Sequence, residues 1–144
     1  MVFTQNPIVT RVKTPQLGLA ILANTNTTNY LTMITAGASG SKVVGILLNS
    51  TDTAARSITI AANNGATSFP LTTISVPAGA GNGTVNSVSV FNQNAPGGLN
   101  GLLPVDNDGQ QYIFLPGANT LQMAAVVQLT NALNVYSLVT YADF

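Results

Sequence analysis

Nine short runs of apolar and β-branched residues divide the chain, and each is closed by a cluster of residues that pre-form turns. The runs are Leu17 to Leu22, Tyr30 to Thr35, Lys42 to Asn49, Ser57 to Ala61, Leu71 to Val76, Val85 to Phe91, Gln111 to Leu115, Leu121 to Leu129 and Val135 to Tyr141. Between them lie NTNTTN, AGASGS, NSTDTAA, NNGATS, PAGAGNGT, NQNAPGGLNG, DNDG, LPGAN and TNALN, rich in Gly, Asn and Pro. Runs of five to nine residues are too short for most helices and suit strands. The spacing predicts an all-β chain, an antiparallel β-sandwich or jelly-roll-like fold of eight to nine strands. Two segments carry a competing helical reading. Leu99 to Val105 is short and apolar, and TLQMAAVVQL holds good helix formers, but the Pro-Gly turn before it and its Val-Val pair favour a strand.

At 144 residues the chain fits a single domain with a core of its own. Residues 17 to 144 are expected to form that β-sandwich. Residues 1 to 16, MVFTQNPIVTRVKTPQ, with two of the prolines and half the basic charge, read as an extended arm or an edge strand. An extended arm can pair with a neighbour's sheet edge through main-chain hydrogen bonds. GAGNG, residues 79 to 83, reads as a flexible hairpin loop with its turn at Asn82 and Gly83, because no Lys-Ser or Lys-Thr follows to make a phosphate loop.

Charge narrows the possible functions. Only 6% of residues are charged, four basic and four acidic, and there is no His, Cys or Glu. An ordinary soluble domain is about 25% charged. A surface built from Thr, Asn and Ser lacks the repulsion that keeps monomers apart and suits a subunit of an assembly. Arg11, Lys13, Lys42 and Arg56 are too few and too scattered to neutralise a phosphate backbone, so direct nucleic-acid binding is not expected. No stretch reaches the ~18 apolar residues of a membrane span, and the opening residues carry no signal-peptide pattern. N-x-[ST] matches at Asn26, Asn49 and Asn82 fall within chance in an Asn- and Thr-rich chain.

The acid-base pool is four Asp, two Lys and four Tyr. Without His, a serine nucleophile is left with Lys13 or Lys42 as base, and neither lies in a motif of that kind. Asp106 and Asp108, in LPVDNDGQQ, form the one concentration of negative charge and are the candidate carboxylate pair or metal ligands. Against a calcium loop, Pro104 takes the first ligand position and no Glu can close it. The expectation is that DNDG is a turn launching QQYIFL into the sheet, with any further role an exposed contact to a neighbour. No catalytic residue, metal or cofactor is assigned. Tyr30, Tyr112, Tyr136 and Phe114 are expected as core or interface rings.

The progression SKVVGILLNSTDTAARSITIAANNGATSFPLTTISVPAGAG, then LPVDNDGQQYIFLPGANTLQ, then a strand ending in ADF, resembles the small head decoration, or cement, proteins of tailed bacteriophages over residues 30 to 144. The resemblance implies a β-sandwich or jelly-roll-like homotrimer, made in the host cytoplasm and bound to the major capsid protein on the outer surface of the head where capsomers meet. On that expectation Arg11 and Lys13 would touch an acidic capsid surface or a neighbouring subunit. Two other classes fit the same composition. One is a tail, baseplate or small capsid β-domain, and the other is a carbohydrate- or receptor-binding module using Asp106 and Asp108 with calcium.

Overall fold

The computed structural model describes residues 14–92 and 97–144. Among these residues there are nine strands: β1 (Thr14–Ala23), β2 (Leu31–Thr35), β3 (Ser41–Ser50), β4 (Arg56–Asn63), β5 (Ser68–Val76), β6 (Val88–Ser89), β7 (Ile113–Leu115), β8 (Thr120–Ala125) and β9 (Asn134–Asp143). Each falls within or across a run expected from the sequence. Arg11 and Lys13 lie outside the described residues, as does most of the expected arm; its last three residues, 14 to 16, begin β1.

Two antiparallel sheets stack face to face. One has the order β1-β9-β3-β6, with β7 also on the outer edge of β3, and the other has the order β2-β8-β4-β5. The pairing is nested: β1 with β9, β2 with β8, β3 with β6 and β7, and β4 with β5. The chain is therefore one long antiparallel ribbon folded at the β4–β5 hairpin. There Asn64 accepts the N–H groups of Ala66 and Thr67, and Gly65 takes a positive φ of 94°. Two further pairings, β3 with β9 and β4 with β8, wrap that ribbon into two sheets, which is the jelly-roll arrangement.

The core lies between the sheets, and the alternation of each strand decides what enters it. From the first sheet come Leu22, Ile46, Leu48 and Val139; from the second come Ile58, Ile60, Leu121 and Met123, all essentially without solvent contact. Gly18 lets β1 close on β2, since a Cβ there would stand 2.1 Å from the Ile34 side chain.

Three expectations need correction. GAGNG is not a hairpin loop, because β5 belongs to one sheet and β6 to the other; the segment crosses the sandwich through tight turns, with Gly79, Gly81 and Gly83 at positive φ. The strand expected over Val85 to Phe91 shrinks to Val88–Ser89. Val85 is drawn into a turn by Gly81, whose N–H donates to its carbonyl, and beyond Val90 the chain turns toward Leu99. The strand expected to reach Leu129 stops at Ala125, beyond which Val126 and Val127 are exposed. Neither helical reading survives: β8 is a strand and Leu99 to Val105 is a series of turns.

Candidate functional site: an apolar sheet face

DNDG forms the tip of a three-residue hairpin loop. The Asp106 N–H donates to the Gln110 carbonyl at 3.0 Å, Gly109 donates to the Asp106 carbonyl at 3.0 Å, and Gly109 has a φ of 78°. The Asp106 carboxylate turns inward to accept from the N–H groups of Asp108 at 3.0 Å and Gln110 at 2.9 Å. It also forms an ion pair with Lys42 Nζ, which lies 4.9 Å above the centre of the Tyr112 ring. The bond from Lys42, followed by that from Gln110, lowers the Asp106 carboxyl to about 2. Asp108 is exposed. Among the described residues no three of His, Cys, Asp and Glu gather where they could hold a metal ion.

Two other aspartates are also held by the fold. Asp143, at the end of β9, accepts from the Gly37 N–H at 3.3 Å and from the Ser41 hydroxyl. Asp52, only 1% exposed, ties the loop after β3 to the loop before β9. It accepts from Arg56 Nε at 2.8 Å, the Ala54 N–H at 3.0 Å, the Thr130 N–H at 2.9 Å and the Thr130 hydroxyl at 2.8 Å. Burial pushes its carboxyl up, but the Arg56 guanidinium and the Thr130 and Ala54 donors outweigh this and hold it well below the usual carboxylate range. The Asp52–Arg56 pair is not among the residues expected from the sequence to carry a role. The signal was available, as an Asp and an Arg four apart inside a turn.

The unusual surface lies elsewhere, on the outside of the β1-β9-β3 sheet. Register fixes its rows. Ile21 pairs with Tyr136, which pairs with Asn49; Leu19 pairs with Leu138, then Leu47; Leu17 pairs with Thr140, then Gly45; and Pro15 pairs with Ala142, then Lys42. Leu19 is 75% exposed, Leu17 68% and Ile21 54%. Lys42 is the one charged side chain of these rows, and its charge is matched by Asp106. Shallow hollows flank the leucines: one of about 290 Å³ lined by Leu19, Leu47, Asn49, Tyr136 and Leu138, and one of about 420 Å³ lined by Pro15, Gln16, Leu17 and Thr140.

The outside of the second sheet differs in kind. Thr59 faces Thr73 with their hydroxyls 2.9 Å apart, Ser57 faces Ser75, and Gln122 accepts from Ser68 at 2.8 Å. That face is neutral and polar, as expected for one side of a solvated antiparallel sheet.

Of the four aromatic residues expected in a core or interface, none is in the core. Tyr136 stands on the apolar face, Phe114 beside Lys42 in register and 5.9 Å from Phe144, and Tyr30 just before β2, whereas Tyr112 is half-buried beneath Lys42 Nζ. The apolar face itself was missed from sequence, although its signal is plain in retrospect. QLGLAIL, VVGILLN and VYSLVTY are apolar at both parities, whereas LTMIT, SITIA and TTISV alternate with Thr and Ser. Apolar residues at both parities are the pattern of strands buried on both faces. No protein-family model, curated protein or solved structure matches this chain.

Proposed function

We propose that the chain is a non-enzymatic virion structural protein that binds the outer surface of a tailed-phage head as an oligomer and stabilises the shell by bridging capsomers. The observation that carries this reading is the contrast between the two outer sheet faces. One is polar and suited to water; the other exposes a row of large aliphatic side chains with its single charge already paired. Contiguous apolar surface of this kind marks an interface. The resemblance of residues 30 to 144 to head decoration proteins supplies the kind of assembly, in which the major capsid protein is the partner.

Such a role needs no reaction. Each subunit of a decorating oligomer engages the lattice intramolecularly after the first, so weak single contacts sum to firm attachment. Binding only to the assembled shell stabilises that shell by mass action and slows its rupture. Neutral hydrogen bonds from a Thr- and Asn-rich surface are little affected by salt. The aspartates fit a scaffold as well, because Asp52, Asp106 and Asp143 each bind loops or strand ends together. The test is to add purified protein to undecorated heads at each stage of maturation. Co-sedimentation with expanded heads, labelling across the capsid faces by electron microscopy and a raised head-rupture temperature are expected. Absence of binding at every stage refutes the proposal, and label confined to one vertex would transfer the chain to the tail.

A further inference from the structure

We infer that the apolar outer face of the β1-β9-β3 sheet is covered by the same face of a second copy of this chain, in a two-fold sheet-to-sheet contact. The inference rests on the reading of the chain as an assembly subunit and goes further by naming what covers this sheet.

Three observations select that occupant. The first is charge. A partner chosen by electrostatics needs unpaired charge to meet, and among the described residues this face shows none: Lys42 is held by Asp106, and the remaining rows are Leu, Ile, Tyr, Thr, Asn and Gly. Two identical uncharged faces meet without like-charge repulsion.

The second is shape. Leu17 and Leu19 stand proud, and a hollow lies on either side of them. The row between Leu17 and Gly45 is low at its far end because Gly45 has no side chain; a Cβ there would reach only ordinary contact with Thr140, 3.7 Å away. A two-fold contact that seats Leu17 or Leu19 of one copy in a hollow of the other repeats the same fit in reverse by symmetry.

The third is extent. The three ten-residue strands β1, β9 and β3, at ~3.4 Å per residue and ~4.8 Å per strand, span on the order of 500 Å² before side-chain relief and the short strands at the β3 edge are counted. A standard stable interface takes ~800 Å² from each partner. A ring would require two different complementary patches, whereas the opposite sheet offers a face of Ser, Thr and Gln. The contact therefore yields an even-numbered assembly in place of the trimer that the family resemblance implies.

The test is sedimentation equilibrium of the full chain at micromolar concentration, with three variants. Leu19→Glu and Leu17→Glu each place two unpaired carboxylates in the dry centre of the contact, while changing side chains that are already exposed in the single chain. Ser75→Glu puts the same charge on the opposite sheet. A wild-type dimer, a Kd raised at least about 100-fold by each leucine variant and no change with Ser75→Glu are expected, all three variants melting as wild type does when compared as monomers. A wild-type monomer or trimer overturns the inference, as does a dimer indifferent to both leucine substitutions. Head binding measured on the same samples separates the two proposals. Binding by a monomeric wild-type chain refutes the pairing and leaves the proposed function standing; a dimer dissolved by Leu19→Glu that never binds heads does the reverse.

Discussion

Asp52→Ala removes the acceptor on which one end of the sandwich converges. The carboxylate takes the Arg56 guanidinium, two backbone N–H groups and a hydroxyl, drawn from the loop after β3 and from Thr130 before β9. Alanine leaves the Arg56 charge, 15% exposed, without its carboxylate and strands the Thr130 and Ala54 donors. Breaking a buried pair from one side costs about 3–5 kcal/mol, set against a total domain stability of ~5–15 kcal/mol. At ~2.1 cal/mol/K of unfolding entropy per residue, a chain this long loses ~3 °C of Tm per kcal/mol, so the variant melts about 10–15 °C below wild type. Arg56→Ala costs less, because the Ala54 and Thr130 donors still satisfy Asp52.

The pH dependence supplies an independent check on the same reasoning. The folded carboxyl of Asp52 lies below its unfolded value, so its stabilisation is complete above an unfolded pKa of ~4 and is lost as pH falls toward the folded value. The gap between wild type and Asp52→Ala must therefore narrow on acidification. Calorimetry or circular-dichroism melts at pH 7 and pH 3 measure it. A Tm loss of less than about 3 °C at pH 7, or a gap as wide at pH 3 as at pH 7, would refute the account of Asp52 as a charged clasp.

The same sign applies to Asp106, lowered to about 2, so its contribution is present above pH ~4 and fades between pH ~4 and 2. In Asp106→Asn the denaturation midpoint should vary less over that window than in wild type. Asp108→Ala is expected to leave Tm within about 2 °C of wild type, since exposed substitutions away from special features change little, and added calcium or chelator should move neither protein. A calcium-dependent rise in wild-type Tm that the variant lacks would restore the metal reading. Gly18→Ala forces a Cβ to 2.1 Å from Ile34 Cγ2, so urea denaturation should show a loss of about 1–3 kcal/mol; an unchanged midpoint would show that β1 is free to move away from β2.

All nine strands were legible because each carries its own signal, a β-branched run closed by turn residues, and antiparallel strands of this length need little else to declare themselves. What failed was local pattern where long-range partners intervene. Val85 to Phe91 alternates as well as any strand in the chain, yet only Val88 and Ser89 pair in register, opposite Leu48 and Leu47, with the Val90 N–H adding one further bond to the Ile46 carbonyl, because the preceding turns deliver the segment late to the edge of β3. DNDG was read correctly as a turn, but the reason its carboxylate is turned inward, Lys42, stands 64 residues away and has no local trace. Asp52 illustrates the same limit, since half its donors belong to Thr130.

Charge scarcity and the apolar sheet face follow from one physical condition. A chain with 6% charged residues can keep its own core and loops together with three aspartates, but it has little left with which to repel a neighbour. Where alternation places Thr and Ser outward, as on β4 and β5, hydroxyls satisfy one another and the face can meet water. Where QLGLAIL places leucines outward as well as inward, no such compensation exists, and the strand lies at a sheet edge without a single charge between Gln16 and Ala23. Isolated edges are ordinarily blunted by Lys, Pro or a bulge. On the proposed reading an edge and a face that the described residues leave bare are covered by a neighbouring subunit, and the low charge that first marks this sequence is then a condition for assembly.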